Sequence, residues 1–151
     1  IRANRETFGI DEERLKLHEL HVHAPAGAVP KDGPSAGIAI ATSMLSALLN
    51  EEPTERVAMT GEITLLGKVL PIGGLKEKVL AAKREGVTKV LLPENNRSLF
   101  EELPQGAKKK MMFQLVRDYS DVFEIMFPNI AERNRNLLMH SLPEQNEELA
   151  S

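Results

Sequence analysis

The chain has no cysteine and no tryptophan among its 151 residues. Without thiols it has no disulfide, no thiolate metal site and no cysteine nucleophile. Aromatic residues are scarce, five Phe and one Tyr, which argues against a stacking platform for single-stranded nucleic acid. Neither sign of charge dominates. Nineteen Lys and Arg against 22 Asp and Glu leave a formal −3, so there is no broad basic field to attract nucleic acid. The glycine-rich fingerprints GxxxxGK[ST] and GxGxxG are both missing, which weakens a P-loop or dinucleotide site. The one strongly apolar segment is flanked by Pro34 and Asn50 and contains Ser43 and Ser46. It is too short for a transmembrane span, so no membrane partner is expected. No signal-peptide pattern opens the chain. It begins on Ile1 rather than Met and reads as a segment of a longer protein, with a cytosol-like origin.

What is present suffices for one folded domain. Hydrophobic residues make up 42%, and this length can bury a real core. Residues 1–8 read as the end of a helix closed by Gly9, and Asp11 to Lys16 as a charged connector. Leu17 to Ala24 alternates, with Leu20, Val22 and Ala24 on one side and His21 and His23 on the other. That is the pattern of a half-buried strand. Pro25, Gly27, Pro30, Gly33 and Pro34 then make a rigid loop. A buried helix follows Ser35. Val57 to Thr60 reads as a strand, Ile63 to Leu66 and Lys68 to Ile72 as a hairpin turning near Gly67. A helix runs from about Leu75 to Glu85, ended by Gly86. Strand 89–92, helix 94–103, strand 111–116 and helix 118–127 complete the pattern. After Pro128 the chain turns polar, so 129–151 reads as a short frayed helix and a disordered tail. Strands alternating with helices indicate an α/β class.

Asp32-Gly-Pro-Ser-Ala-Gly37 is the stretch most suggestive of chemistry. It places the Ser35 hydroxyl where a tight turn feeds the N-terminus of a buried helix. Free N–H groups there favour negative charge and can steady an oxyanion. Two plainer readings compete: Ser35 as an ordinary helix cap, and the turn as a phosphate cradle. The helix at 75–85 adds a second candidate. Leu75, Val79 and Ala82 share its core-facing arc and Lys78 lies at the edge, where a lysine commonly just snorkels to water. A serine with a lysine partner is one recognised variant of the nucleophile-and-base arrangement. The base must be neutral. Bringing a lysine from a reference pKa of about 10.4 to roughly 7–8 takes about 4 kcal/mol of environment hostile to the charge, and burial supplies such a term. Thr60 is a hydroxyl partner able to aim that amine. His21 and His23 lack a third metal ligand at convincing spacing, so contact with substrate or orientation near Ser35 suits them better. Asp32 suits a backbone hydrogen bond within the turn.

Three ordered motifs carry a resemblance. Asp32-Gly-Pro-Ser-Ala-Gly37, Thr60-Gly-Glu-Ile-Thr-Leu-Leu-Gly67 and Pro71-Ile-Gly-Gly-Leu-Lys-Glu-Lys78 together resemble the proteolytic domain of the ATP-dependent Lon proteases, from the chain start to about Pro128. The resemblance implies a serine endopeptidase with Ser35 as nucleophile, Lys78 as general base and Thr60 holding that lysine. It gives His21, His23 and Asp32 supporting roles. Backbone at Gly33 and Ala36 would face the oxyanion. It implies a mixed sheet with packed helices, in a two-layer arrangement resembling α+β folds, lacking the family's N-terminal strands. Residues 1–128 would be the proteolytic domain. Unfolded or damaged proteins would be the substrates, a homo-hexamer the assembly, and the cytoplasm or a mitochondrial matrix the compartment. ATP and Mg²⁺ would belong to an adjoining ATPase module, with no cofactor in this chain and no metal site. The alternatives are a nucleotide- or phosphate-binding domain using the glycine-rich turn, or a non-catalytic assembly module of the same fold.

Overall fold

In the computed structural model, residues 1–23 and 33–140 are described. Helices and strands alternate, and the α/β class read from the sequence holds. A three-stranded parallel sheet lies at the centre, formed by β1 (Val57–Met59), β4 (Lys89–Pro93) and β5 (Met112–Val116) in the order β1-β4-β5. Val57 pairs with Lys89, and Lys89 with Met112. The antiparallel strands β2 (Glu62–Ile63) and β3 (Val69–Leu70) form a separate hairpin. A single bridge, Lys68 to Asp118, links it to the start of a later helix. The expected mixed sheet is therefore divided into a parallel and an antiparallel part.

Alternation along the parallel strands builds two cores. Leu91 and Val116 point to one side, Val90 and Leu92 to the other. The first side is covered by α2 (Gly37–Leu49), α6 (Tyr119–Met126) and α7 (Pro128–His140). Ile38, Leu45, Val122, Phe123 and Ile130 are buried there. The second side is covered by α3 (Leu75–Arg84) and α5 (Gln105–Lys108), through Leu75, Val79, Ala82 and Ala107. The helices thus lie on both faces rather than in one layer, because a parallel sheet must be covered on both sides. This also explains why Lys89-Val-Leu-Leu-Pro93 reads as a continuous apolar run: four of its five residues are buried.

Several local expectations change. The connector at 11–16 is a helix, α1 (Glu12–Leu17), started by the Asp11 carboxylate accepting the Arg14 N–H at 2.5 Å. The segment from Leu17 onward is not a strand over the described residues 18–23. Alternation defines a face but not a partner, and no strand pairs with it there. The helix expected over 94–103 is a 3₁₀ turn, Glu94–Asn96, followed by α4 (Arg97–Glu101). The frayed helix expected after Pro128 spans 13 residues as α7, with Ile130 and Ala131 packed into the first core. α2 is also less enclosed than its composition suggested, since Ile40 is 44% exposed.

Candidate active site

The geometry around Ser35 begins with two glycines. Gly33 sits at φ +125°, a backbone that residues with a side chain rarely adopt. Gly37 is a point of close approach: a Cβ there would stand 2.9 Å from Ile63 Cγ2 and 3.0 Å from the Ile63 nitrogen. Between them, Pro34–Ala36 form a 3₁₀ turn leading into α2. The turn is tied to the end of β1. The Ser35 carbonyl accepts the Gly61 N–H at 2.8 Å and the Thr60 hydroxyl at 3.2 Å. Ile38 N–H returns to the Gly61 carbonyl at 3.2 Å, and Thr60 N–H reaches the Leu91 carbonyl at 3.2 Å. Ser35 is therefore held, through Thr60 and Gly61, by the central strand β4.

Lys78 comes from the opposite face of the sheet. Val79 beside it is fully buried, and Leu75 and Ala82 anchor the same helix. This leaves Lys78 half-buried on the flank that faces the turn. Its Nζ donates to Ser35 Oγ at 3.1 Å. The entry to α3 is fixed by Asn96, which is 1% exposed. Ile72 N–H donates to Asn96 Oδ1, and Asn96 Nδ2 donates to the Ile72 carbonyl, each at 2.9 Å. An amide side chain pairing with both polar groups of one residue acts as a strand surrogate. Sequence reasoning missed it, because Pro93-Glu-Asn-Asn96 reads only as a helix-start turn.

A pocket of about 360 Å³ opens beside the Ser35–Lys78 pair. Its walls are mostly small and apolar, including Ala36, Ala58 and Val90. Of the described residues that line it, only Lys78 and Glu85 carry ionisable side chains.

The other predicted site residues fall differently. Thr60 is buried at 6% exposure and lines the pocket. Its hydroxyl donates to the Ser35 carbonyl; among the described residues it holds the serine's turn, not the lysine. Ala36 lines the pocket and Gly33 precedes the turn. Pro34 has no N–H, and the Gly37 N–H is taken by the Pro34 carbonyl. His21 and His23 are exposed and line a neighbouring cleft of about 370 Å³ with Ile40 and Met44. That cleft adjoins the Ser35 pocket at the shared Ala39, and among the described residues neither histidine is hydrogen-bonded to Ser35 or Lys78. Asp32 lies outside the described residues.

One displaced titration supports the scaffold. Tyr119 is pushed up to about 12 by burial, while its hydrogen bond with Thr42 pulls the other way. The two hydroxyls meet at 2.8 Å, and Thr42 also donates to the Ile38 carbonyl at 2.8 Å. This buried contact fastens α6 to the first turns of α2.

Comparison with known proteins gives a consistent result. A family model described as Lon protease (S16) C-terminal proteolytic domain matches residues 1–129. Lon protease 1 of Syntrophotalea carbinolica is 49% identical over 127 residues, covering 84% of this chain and 16% of its own length. The mitochondrial Lon protease homolog 1 of Dictyostelium discoideum is 54% identical over 112 residues, covering 74% of this chain and 12% of its own. Lon protease of Aquifex aeolicus is 52% identical over 126 residues, covering 83% and 16%. The chain thus spans about a sixth or less of the length of these relatives.

Proposed function

This chain belongs to the Lon protease (S16) C-terminal proteolytic domain family, and on that premise we propose that it is a serine endopeptidase working through a Ser35–Lys78 dyad. The observation that carries the proposal is the contact of Lys78 Nζ with Ser35 Oγ at 3.1 Å. That distance is within hydrogen-bond reach for proton transfer in either direction. In the reacting state the neutral amine accepts the Ser35 proton while Oγ attacks a peptide carbonyl. The carbon becomes tetrahedral, and its oxygen takes up the negative charge. Backbone at Gly33 and Ala36, with the positive end of the α2 dipole, stabilises that oxygen. Lys78 then delivers its proton to the departing amine. Water, deprotonated by the same lysine, cleaves the acyl ester and restores Ser35.

Each half of the dyad has its own support. Thr60 and Gly61 position the serine's backbone, and the buried arc of α3 with Asn96 positions the lysine. Thr60 is a positioning residue acting on Ser35. Unfolded proteins are the proposed substrates, because a peptide must lie extended to present a carbonyl to a turn at the sheet edge. The full chain is proposed to work as a homo-hexamer in the cytoplasm, coupled to an ATPase module. ATP and Mg²⁺ would act in that module. This sequence lacks a P-loop, and no step above passes through them.

The test is Ser35→Ala in the full chain. Hydrolysis of a casein-like substrate should disappear while the far-ultraviolet spectrum and melting temperature stay unchanged. Undiminished hydrolysis by this variant would overturn the assignment.

A further inference from the structure

The pocket beside the dyad has a directional chemistry. Lys78, Ala81, Ala82 and Glu85 all line it. Their spacing of i, i+3, i+4 and i+7 places them along one face of α3 and its cap. From Lys78 to Glu85 the helix advances about 10 Å. The wall opens at the nucleophile, continues as two alanine methyls opposite Ala39 and Ala58, and ends at a carboxylate. An aliphatic stem fits that wall, and a cationic head fits its far end.

Glu85 is available for this role. It is exposed, and among the described residues it takes part in no ion pair. It also stands at the C-terminal cap of α3, where the helix dipole disfavours a carboxylate. The helix itself therefore gains nothing from an acidic residue at this position. The apolar wall alone would accept leucine or methionine equally well. Among the described lining residues, Glu85 is the acidic group that separates a lysine or arginine from them.

We propose that Glu85 is a specificity-determining residue, biasing the site toward substrates with a lysine or arginine side chain in this pocket, next to the scissile carbonyl. The inference rests on the Ser35–Lys78 reading of the site. The interaction is partly solvated, so its effect is modest. The preference for lysine over an uncharged isostere should be about three- to fivefold at low salt, and it should shrink as salt rises.

The experiment uses the full chain and four peptides that differ only at the residue supplying the scissile carbonyl: Lys, Arg, norleucine or Glu. Wild type should give a lysine-to-norleucine ratio of kcat/KM of about 3–5, falling toward 1 at high salt. Glu85→Gln should bring the ratio close to 1 at all salt concentrations. Glu85→Lys should reverse the order and favour Glu. Melting temperatures no lower than wild type in both variants would show that the fold is kept, as removal of a carboxylate from a helix C-terminus leads one to expect. A wild-type ratio that Glu85→Gln leaves unchanged, with cleavage proceeding, overturns this inference alone. If wild type cleaves none of the peptides, and a serine-directed peptidyl boronate leaves Ser35 unmodified, the dyad reading falls and takes this inference with it.

Discussion

Ser35 and Lys78 belong to different cores, and the contrast between those cores explains the site. The core under Ser35 is rich in aromatic residues. Phe8 stacks edge-on against Tyr119 at 5.7 Å between ring centroids, and Phe123 and Phe127 continue the cluster. The core under Lys78 is mostly aliphatic, built from Ile72, Leu75, Val79, Leu92 and Leu103. The serine is held by backbone hydrogen bonds to a strand end, the lysine by side-chain packing of a helix. Their contact joins the two layers beside β1, the edge strand of the parallel sheet. The lesson is that a hydrogen-bonded Ser–Lys pair can be assembled across two layers that share one sheet, with each partner set by a different force.

The comparison breaks most visibly if one partner is removed. Lys78→Gln should lower peptide cleavage at least about 10³-fold while leaving the aliphatic core intact, since the residue lies at its margin. The measurement is kcat on one peptide beside a thermal melt. A fall of less than tenfold would mean that Ser35 draws its base from elsewhere.

The next largest effect concerns the layers. Leu45 in the first core and Leu92 in the second are both fully buried. Leu45→Ala and Leu92→Ala should each destabilise the fold by about 2–5 kcal/mol in denaturant titrations. Both should unfold in one transition, because the strands that carry the two cores are shared. Two separate transitions would show that the layers are independent units, bridged only at the site.

A smaller effect belongs to the first core alone. Tyr119 holds its proton up to about 12 when folded, against about 10 unfolded. Neutral tyrosine is the form the fold prefers. Its contribution is whole below pH 10 and is lost as pH rises through 12, because the unfolded chain then binds fewer protons. The whole contribution is about 2–3 kcal/mol. Subtracting the pH dependence of Tyr119→Phe from that of wild type isolates it. A flat difference between pH 10 and 12 would contradict the burial account.

The smallest expected effect is at the joint. Thr60→Val removes the hydroxyl bound to the Ser35 carbonyl but keeps the Gly61 N–H bond. It should cost about 1 kcal/mol of stability and lower kcat more than it raises KM. Equal changes in both would assign Thr60 to substrate binding.

How much of this was legible beforehand differs between the halves of the molecule. Apolar periodicity is a local signal, so α2, α3, α6, β4 and β5 were readable to within a residue or two. Lys78 could be singled out because the arc of Leu75, Val79 and Ala82 fixes the face of its helix. Partners set by tertiary contact were not readable. Thr60 looked like the lysine's hydroxyl, yet the strand register turns it to the Ser35 carbonyl. Asn96 gave no signal, since its role depends on Ile72, twenty-four residues away. His21 and His23 looked close to Ser35 in sequence, but the structure puts them in the adjoining cleft, further along α2.

The most direct test of the pairing is the rate at which a peptidyl boronate modifies Ser35, followed by mass spectrometry in wild-type and Lys78→Gln full chains. Wild type should form the adduct at Ser35 alone, and Lys78→Gln should form it at least about a hundredfold more slowly. Equal rates in the two proteins would contradict the central claim that Lys78 is the group that activates Ser35.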